Sequence, residues 1–538
     1  MPLILPKPKF MPRYLVRISD MELVKGSEVH EGYCTLSYSW NQSGEILLDE
    51  EIGKSYRIDQ GKHKIIFPGK TVRKKPRGRK RISSKVKFVT FEGLIQEICK
   101  DFNIKYIWYD QMCINQNNEN EKHDEMRHMH KIYGNAYCTL ALVPELGTGP
   151  YKFSHTFHIW QLEGYKERFL ESQWMKRMWT LAEALMSSKI LVVGHNIHSW
   201  GHQLFSELAI PIFDEKFDCS VSRVLHYAHT RTSTKDYDYI FALANIFPDI
   251  MKQMTMDYNQ NIQELMIQFY SLLAEKDIGI LCFDTYHKYK TLLRLTSRNY
   301  TKYNNTPMQK FDLPSWTGKY GEHDKHGFHK TSFKNYTVNG RILKITCCGI
   351  TNKQYDTEEI SKLPSIENIL PPFPQQNAHI YLGWRLVIWV QPQGSMREKP
   401  IDVGTNHYET PKPYAYKGIV ERLQELAHFM SIKKTKLQWI PHNSELSVST
   451  FAFDVLEGTL QDSGQCIVLT GIPFKDPDDS DVKYPVIKND DPDNSGVKYP
   501  VIKKDGDYYK AIGMCHIYQD DNHFFDNFTL EEQTFEIH

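Results

Sequence analysis

The sequence predicts an α/β domain with a mainly parallel sheet at its amino terminus, then a helical segment, then a β-rich carboxy-terminal domain. Three observations predict this. Over the first ~200 residues, short β-prone runs alternate with amphipathic stretches, the order of a sheet with crossover helices. Between about 220 and 280 the apolar spacing is helical. From about 310 onward, short β-prone runs separated by turns take over. A chain of 538 residues exceeds one hydrophobic core, and the composition shifts place the domains at 1–215, 216–300 and 301–538.

The first strand is YCTLSYSW (33–40), closed by the turn chemistry of NQSGE. Residues 51–87 are polar, and ten of the eighteen from Lys70 to Lys87 are Lys or Arg, which marks a basic insertion and not core. TFEGLIQEICKDF (90–102) sets Leu94, Ile95, Ile98, Cys99 and Phe102 on one helical stripe behind a Thr90 cap. IKYIWYD (104–110) is a strand that stops at Asp110, and QMCINQNNENE is a loop. HDEMRHMHKIYG (123–134) is a helix with Met126, Met129, Ile132 and Tyr133 on one side, followed by the buried strand AYCTLALVP (136–144). SQWMKRMWTLAEAL (172–185) is a helix with Trp174, Met178, Leu181 and Leu185 toward the core, and KILVVG (189–194) is the next strand. In such sheets the working residues lie at the carboxyl ends of strands, which singles out the turn after Trp40 and the loop after Asp110.

YIFALANIF and NIQELMIQFYSLLAEKD supply the helical segment. RILKITCCGI, AHIYLGWRLVIWVQP, STFAFDVL, QCIVLTGIPF and DYYKAIGMCHIY supply later strands, and VERLQELAHFMSI (420–432) a helix among them. DPDDSDVKYPVIKND (476–490) recurs as DPDNSGVKYPVIKKD (491–505). Two copies cannot build a solenoid, so a duplicated surface hairpin or loop is expected.

Composition excludes several classes. A net charge of +1 creates no global field to recruit nucleic acid or membrane. No apolar run reaches the ~18 residues of a membrane helix, and MPLILPKPKFMPRYLV lacks the apolar core and cleavage site of a signal peptide. Ten scattered cysteines without a CxxC pair read as thiols of a reducing compartment, so a cytoplasmic location is expected. His123, His128 and His130 have no cysteine partner at finger distance, so no metal is expected. Cys113 reads as a buried thiol. There is neither a Walker loop nor a GxGxxG fingerprint. The basic run either meets phosphates, nucleic acid or an import receptor, or is a solvated insertion; nucleic acid is not the expected partner.

Four ordered segments, YCTLSYSW (33–40), YIWYDQMCINQ (106–116), MHKIYGNAYCTLAL (129–142) and WMKRMWTLAEAL (174–185), resemble the heterokaryon incompatibility (HET) domain of filamentous fungi. The matching positions are Leu36, Ser37, Tyr38 and Trp40; Tyr106, Trp108, Asp110, Cys113, Ile114 and Gln116; Ile132, Tyr133 and Ala136; and Arg177, Trp179, Thr180 and Glu183. RTSTKDYDYIFAL (231–243) and LPSWTG (313–318) resemble segments that follow this domain. Asn41 and Ala182 depart from the family's glycine and glutamine. The resemblance implies a cell-death effector of non-self recognition. It also implies a distant relation to TIR domains, some of which hydrolyse NAD, and hence a TIR-like (flavodoxin-like) sheet. The TIR helix that carries the catalytic glutamate has a tryptophan four residues earlier, the spacing of Trp179 and Glu183.

On a helix, Glu183 shares a mixed face with Trp179, Thr180 and Ser187, at the edge of a cleft. Cleavage of the nicotinamide–ribose bond passes through a cationic sugar, which one fixed carboxylate stabilises, and nicotinamide leaves as a neutral base. Glu183 is therefore the candidate catalytic residue, with NAD or a related dinucleotide as substrate and no cofactor. Ser37, Tyr38 and Trp40 either line the pocket or pack the core. Asp110 either meets a ribose hydroxyl or caps a turn. Arg177 either pairs with phosphate or bridges to an acid. Self-association and a regulatory protein partner are expected, with the β-rich remainder sensing or restraining the enzyme. The alternative is a non-enzymatic signalling module that acts by assembly.

Overall fold

The computed structural model describes residues 4–39, 46–49, 54–57, 64–68, 86–143, 145–146, 168–194, 198–207, 220–229, 231–285, 311–319, 321–323, 333, 335–351, 384–390, 399–406, 437–441, 449–455, 465–471, 474–475, 482–483, 496–518 and 531–538. Trp40, Asn41, most of the basic run and the expected helix 420–432 lie outside them. The chain divides into two compact units, Met1–Asp218 with Thr230–Ile262, and Cys219–His229 with Gln263–His538.

The first unit opens with a hairpin that strand–helix alternation does not reveal, β1 (Tyr14–Arg17) and β2 (Glu22–Lys25). Then comes β3 (Cys34–Ser37). The stretch expected to be a basic loop holds two antiparallel pairs, β4 (Ile46–Asp49) with β5 (Lys54–Arg57) and β6 (Lys64–Pro68) with β7 (Val86–Thr90). There follow α1 (Phe91–Asp101), β8 (Tyr106–Trp108), α2 (Asp110–Cys113), α3 (Glu119–Arg127), α4 (Met129–Asn135) and β9 (Thr139–Leu142). Next are α5 (Gln173–Lys176), α6 (Met178–Met186), β10 (Ile190–Val193), β11 (His198–Trp200) and α7 (Gly201–Glu207). After α8 (Val221–Ala228), which belongs to the second unit, α9 (Asp236–Ile246) and α10 (Pro248–Gln253) complete the first.

Its sheet has the order β11-β10-β9-β3-β8-β1-β2. The expected mainly parallel sheet is in fact mixed. The four central strands are parallel, and both edges are antiparallel. The reason is chain length: four residues separate β1 from β2 and β10 from β11, and so short a link permits only an antiparallel turn. The central strands CTLS and TLAL are buried at every position, as strands covered on both faces must be.

The second unit joins α8 and α11 (Ile262–Lys276) to β structure. β12 (Phe283–Thr285) pairs with β13 (Gly321–His323). A ten-stranded sheet contains β14 (Tyr336–Asn339), β15 (Ile342–Thr351), β16 (Trp384–Val390), β17 (Lys399–Asn406), β18 (Leu437–Pro441), β19 (Ser449–Val455) and β20 (Cys466–Gly471). β21 (Phe474–Lys475) and β22 (Val482–Lys483) form a separate pair. β23 (Gly496–Asp505), β24 (Tyr508–Tyr518) and β25 (Glu531–Ile537) finish the large sheet. Within it the pairings β15–β20, β20–β23, β23–β24, β24–β25 and β25–β15 close a barrel-like ring. Leu343, Ile345, Cys347, Leu469, Val501, Met514 and Phe535 are buried in these strands. The register slips at Gly349, where a side chain would come within 2.6 Å of Ile467.

The tandem repeat is not merely a duplicated surface loop. Its second copy supplies β23, with Tyr499, Val501 and Ile502 buried, while the described part of the first copy is the two-residue β22. Equal sequences take unequal places because only one copy finds sheet partners on both sides. No helix among the described residues is long and apolar enough to cross a membrane.

In the second unit, His229 at the end of α8 and His323 at the end of β13 are both buried. Burial first, then His226, pulls His229 down to about 3; burial first, then His229, holds His323 well below its ordinary value. The unfolded chain takes up these protons near 6.5. The contribution is therefore present above that pH and is lost as pH falls toward 3. The melting temperature should fall between pH 7 and pH 4, and His323→Phe should flatten that slope by several degrees, on the order of 4–8 °C per kcal/mol. Calorimetric scans at stepped pH check this, and an unchanged slope contradicts it.

Candidate active site

The site is built around a break in a helix. The expected single helix over 172–185 is two, because Arg177 is extended (φ −89, ψ 137) between α5 and α6. In a continuous helix the Trp174 carbonyl would accept from the Met178 amide. Here Met178 N–H donates instead to the Thr232 carbonyl at 2.9 Å, and the Thr180 hydroxyl and the Arg231 guanidinium occupy the Trp174 carbonyl. The elbow turns Trp174 and Glu183 toward one point, the hydroxyl of Ser37 at the carboxyl end of β3. Trp174 Nε1 donates to Ser37 Oγ at 2.8 Å, and Ser37 Oγ donates to Glu183 Oε2 at 2.5 Å. An indole N–H can only donate, so the direction of this relay is set: indole to hydroxyl to carboxylate.

A second chain of hydroxyls fixes the backbone of the same residue. The Ser187 hydroxyl donates to the Glu183 carbonyl at 2.5 Å, Thr139 lies 2.5 Å from Ser187, and Thr35 lies 2.6 Å from Thr139. Each hydroxyl has one proton, so Thr35 donates to Thr139 and Thr139 to Ser187. β3 and β9 thus hold both the side chain and the carbonyl of Glu183.

Glu183 is only 4% exposed. The mixed face expected at a cleft edge is instead packed on β3, α4 and α9, which leaves α6 covered on most sides. Burial pushes the Glu183 acid up to about 8. The charge of Asp110 adds to this, while Ser37, Tyr133 and Arg177 oppose it. Desolvation wins because few donors replace the lost water. Tyr133 is fully buried beside the carboxylate, with its hydroxyl on the Leu36 carbonyl at 3.3 Å and its own ionisation suppressed by burial and by Glu183.

The other expected residues divide. Ser37 and Tyr38 are buried at the end of β3, and Tyr38 donates to Asp110 Oδ1 at 3.1 Å. Asp110 opens α2 and also accepts from the Gln111 amide at 2.8 Å, so it acts as a cap and brings a second carboxylate to the end of β8. Arg177 is half-buried at the elbow, donates to the Thr234 hydroxyl at 3.1 Å, and is near enough to favour an ionised Glu183. Trp179 is half-buried; the indole joined to the carboxylate through Ser37 is Trp174, not Trp179. Trp40 lies outside the described residues. Cys113 is buried, and burial raises its thiol far above the reactive range. No metal-ligating cluster occurs among the described residues.

Three participants escaped the sequence reading. Trp174 and Tyr133 were assigned to core stripes, and their polar tips cannot be placed from helical spacing. Arg231 lies in a recognised segment, yet nothing local marks it. It is buried with its guanidinium carbon 5.9 Å from the Trp174 ring centre. Nη1 donates to the Arg177 carbonyl at 2.9 Å and to the Thr180 hydroxyl at 3.0 Å. Burial lowers Arg231 to about 9, opposed by the Glu183 charge, so it stays cationic at neutral pH.

Residues 33–183 match the family model described as heterokaryon incompatibility protein (HET). No curated protein and no solved structure matches the chain.

The raised Glu183 acid has a consequence for stability. Unfolded, it ionises near 4.5; folded, near 8. Its contribution is present below pH 4.5 and is lost as pH rises through 8, by on the order of a few kcal/mol. Glu183→Gln removes that loss, so the variant should be the more stable chain at pH 9 and show a flatter alkaline limb. Urea unfolding at pH 5, 7 and 9 measures it; parallel limbs for the two proteins rule it out.

Proposed function

The chain carries a heterokaryon incompatibility (HET) domain over residues 33–183. From that premise we propose that it is a cell-death effector of non-self recognition whose HET domain cleaves the nicotinamide–ribose bond of NAD. The observation that carries this is the position of Glu183, whose carboxylate meets Ser37 at the carboxyl end of a central parallel strand. The parallel strands stand in the order β10-β9-β3-β8, so the chain goes from β3 to one side and then crosses to the other. A switch point falls between β3 and β9, where open α/β sheets take their ligands, and this order supports the TIR-like, flavodoxin-like reading.

In the proposed reaction the C1′–N bond breaks and its electron pair stays on nicotinamide, which leaves neutral. Positive charge develops on the ribose, and the Glu183 carboxylate stabilises it. Water then adds to C1′ and loses a proton, giving the free ribosyl product. Ser37 and Trp174 orient the carboxylate, Asp110 meets a ribose hydroxyl, and Arg177 meets the diphosphate. The resting acid is mostly protonated at neutral pH. The cationic nicotinamide favours its ionised form, so binding of NAD releases a proton.

A second reading, a non-enzymatic module that signals by assembly, draws on the closure of the site: Glu183 is 4% exposed and hydrogen-bonded within the core. The two readings separate when purified protein is incubated with NAD and free nicotinamide is followed. The enzymatic reading expects release that drops at least about 100-fold in Glu183→Gln, with circular dichroism unchanged. It also expects kcat/KM to climb with pH and level off above about 8. Absence of release at every pH and protein concentration leaves the assembly reading.

A further inference from the structure

The chain visits the second unit for Cys219–His229 and returns to the first at Thr230. His229 and Arg231 therefore belong to different units, yet two residues of backbone span at most about 7 Å. Each is strongly anchored.

The anchor in the second unit is α8, fastened at both ends. Its first amide, Val221 N–H, donates to Asp277 Oδ2 at 3.0 Å. At its other end His229 Nε2 lies 2.7 Å from His323 Nδ1, with the rings stacked at 5.0 Å. His323 Nε2 faces the Ile280 carbonyl at 3.1 Å, so that nitrogen carries the proton. Nδ1 is then the acceptor, and His229 Nε2–H donates. The His323 ring is seated against Gly318, the last residue of LPSWTG, whose φ of +70 and 2.6 Å clearance to the ring leave no room for a side chain.

The anchor in the first unit is the α5–α6 elbow. Arg231 holds the Arg177 carbonyl and the Thr180 hydroxyl. Thr232 N–H donates to the Lys176 carbonyl at 2.6 Å, and the Thr232 carbonyl accepts from Met178 N–H at 2.9 Å. This lacing is what directs Trp174 and Glu183 onto one hydroxyl.

We propose that residues 229–232 are a tie by which the C-terminal unit sets the geometry of the Glu183 site, with Arg231 as its positioning residue. Displacement of α8 from its seat pulls on the elbow and parts Trp174 and Glu183 from Ser37. The consequence for catalysis rests on the NAD reading; the mechanical coupling does not.

The test uses the full chain in three forms: unaltered, with two glycines inserted between His229 and Thr230, and with His323→Phe. The insertion slackens the tie and keeps both anchors; the substitution removes one anchor. Hydrogen–deuterium exchange is read on peptides covering 172–186, with peptides from β15 and β24 as the control for global unfolding. The tie expects exchange over 172–186 to rise about tenfold in either variant while the controls stay unchanged. It also expects the pH midpoint of nicotinamide release to move. Exchange over 172–186 within about twofold of the unaltered chain, in whichever variant folds, overturns it. If the unaltered chain releases no nicotinamide, the proposed reaction fails while the exchange result still decides the tie.

Discussion

A single hydroxyl, that of Ser37, lies between an indole that can only give a hydrogen bond and a carboxylate that can only take one when ionised. The rest of the first unit follows from the need to keep that acid in a dry core. An ionised carboxylate loses several kcal/mol of hydration when buried, and few protein donors are present to replace it. The acid is accordingly pushed up to about 8, a value at which a modest change in nearby charge decides its protonation. Ligand chemistry and protein geometry therefore act on the same equilibrium.

The elbow at Arg177 shows how backbone hydrogen bonds are reassigned to build such a site. The segment Leu181–Ala184 is rich in good helix formers, and helical propensity alone would carry the helix through residue 177. Tertiary partners outcompete it: Thr232 takes the Met178 amide, and Thr180 with Arg231 takes the freed carbonyls. Every polar group released by the break is paired again, which is why the interruption is tolerated in the interior. A buried guanidinium costs desolvation, and Arg231 offsets it with several acceptors and the face of Trp174.

The C-terminal unit solves a different problem. Its closed ring leaves few strand edges in the barrel, and the LPSWTG turn packs against the ring of His323. Trp316 in that turn is fully buried, with its indole N–H on the Arg341 carbonyl at 3.0 Å. A motif without titratable chemistry thereby shapes the surroundings of a buried imidazole pair.

Periodicity and composition by themselves determined the order of strands and helices in the first 200 residues, the helical run that follows and the β-rich remainder, because those patterns report which side of an element meets water. The motif spacing also singled out Ser37, Asp110 and Glu183 before any coordinates. The edge hairpin β1–β2 was not legible, since four-residue strands flanked by charge carry too little alternation. Nor was the mixed character of the sheet, which depends on link lengths and pairing. Only the tertiary structure decided that Glu183 faces inward, that Trp174 and not Trp179 joins it through Ser37, and that Arg231 laces the elbow. Those outcomes depend on groups 48 to 146 residues apart, such as Ser187 with Thr139 and Ser37 with Glu183. Local spacing holds no information about partners that only folding brings together.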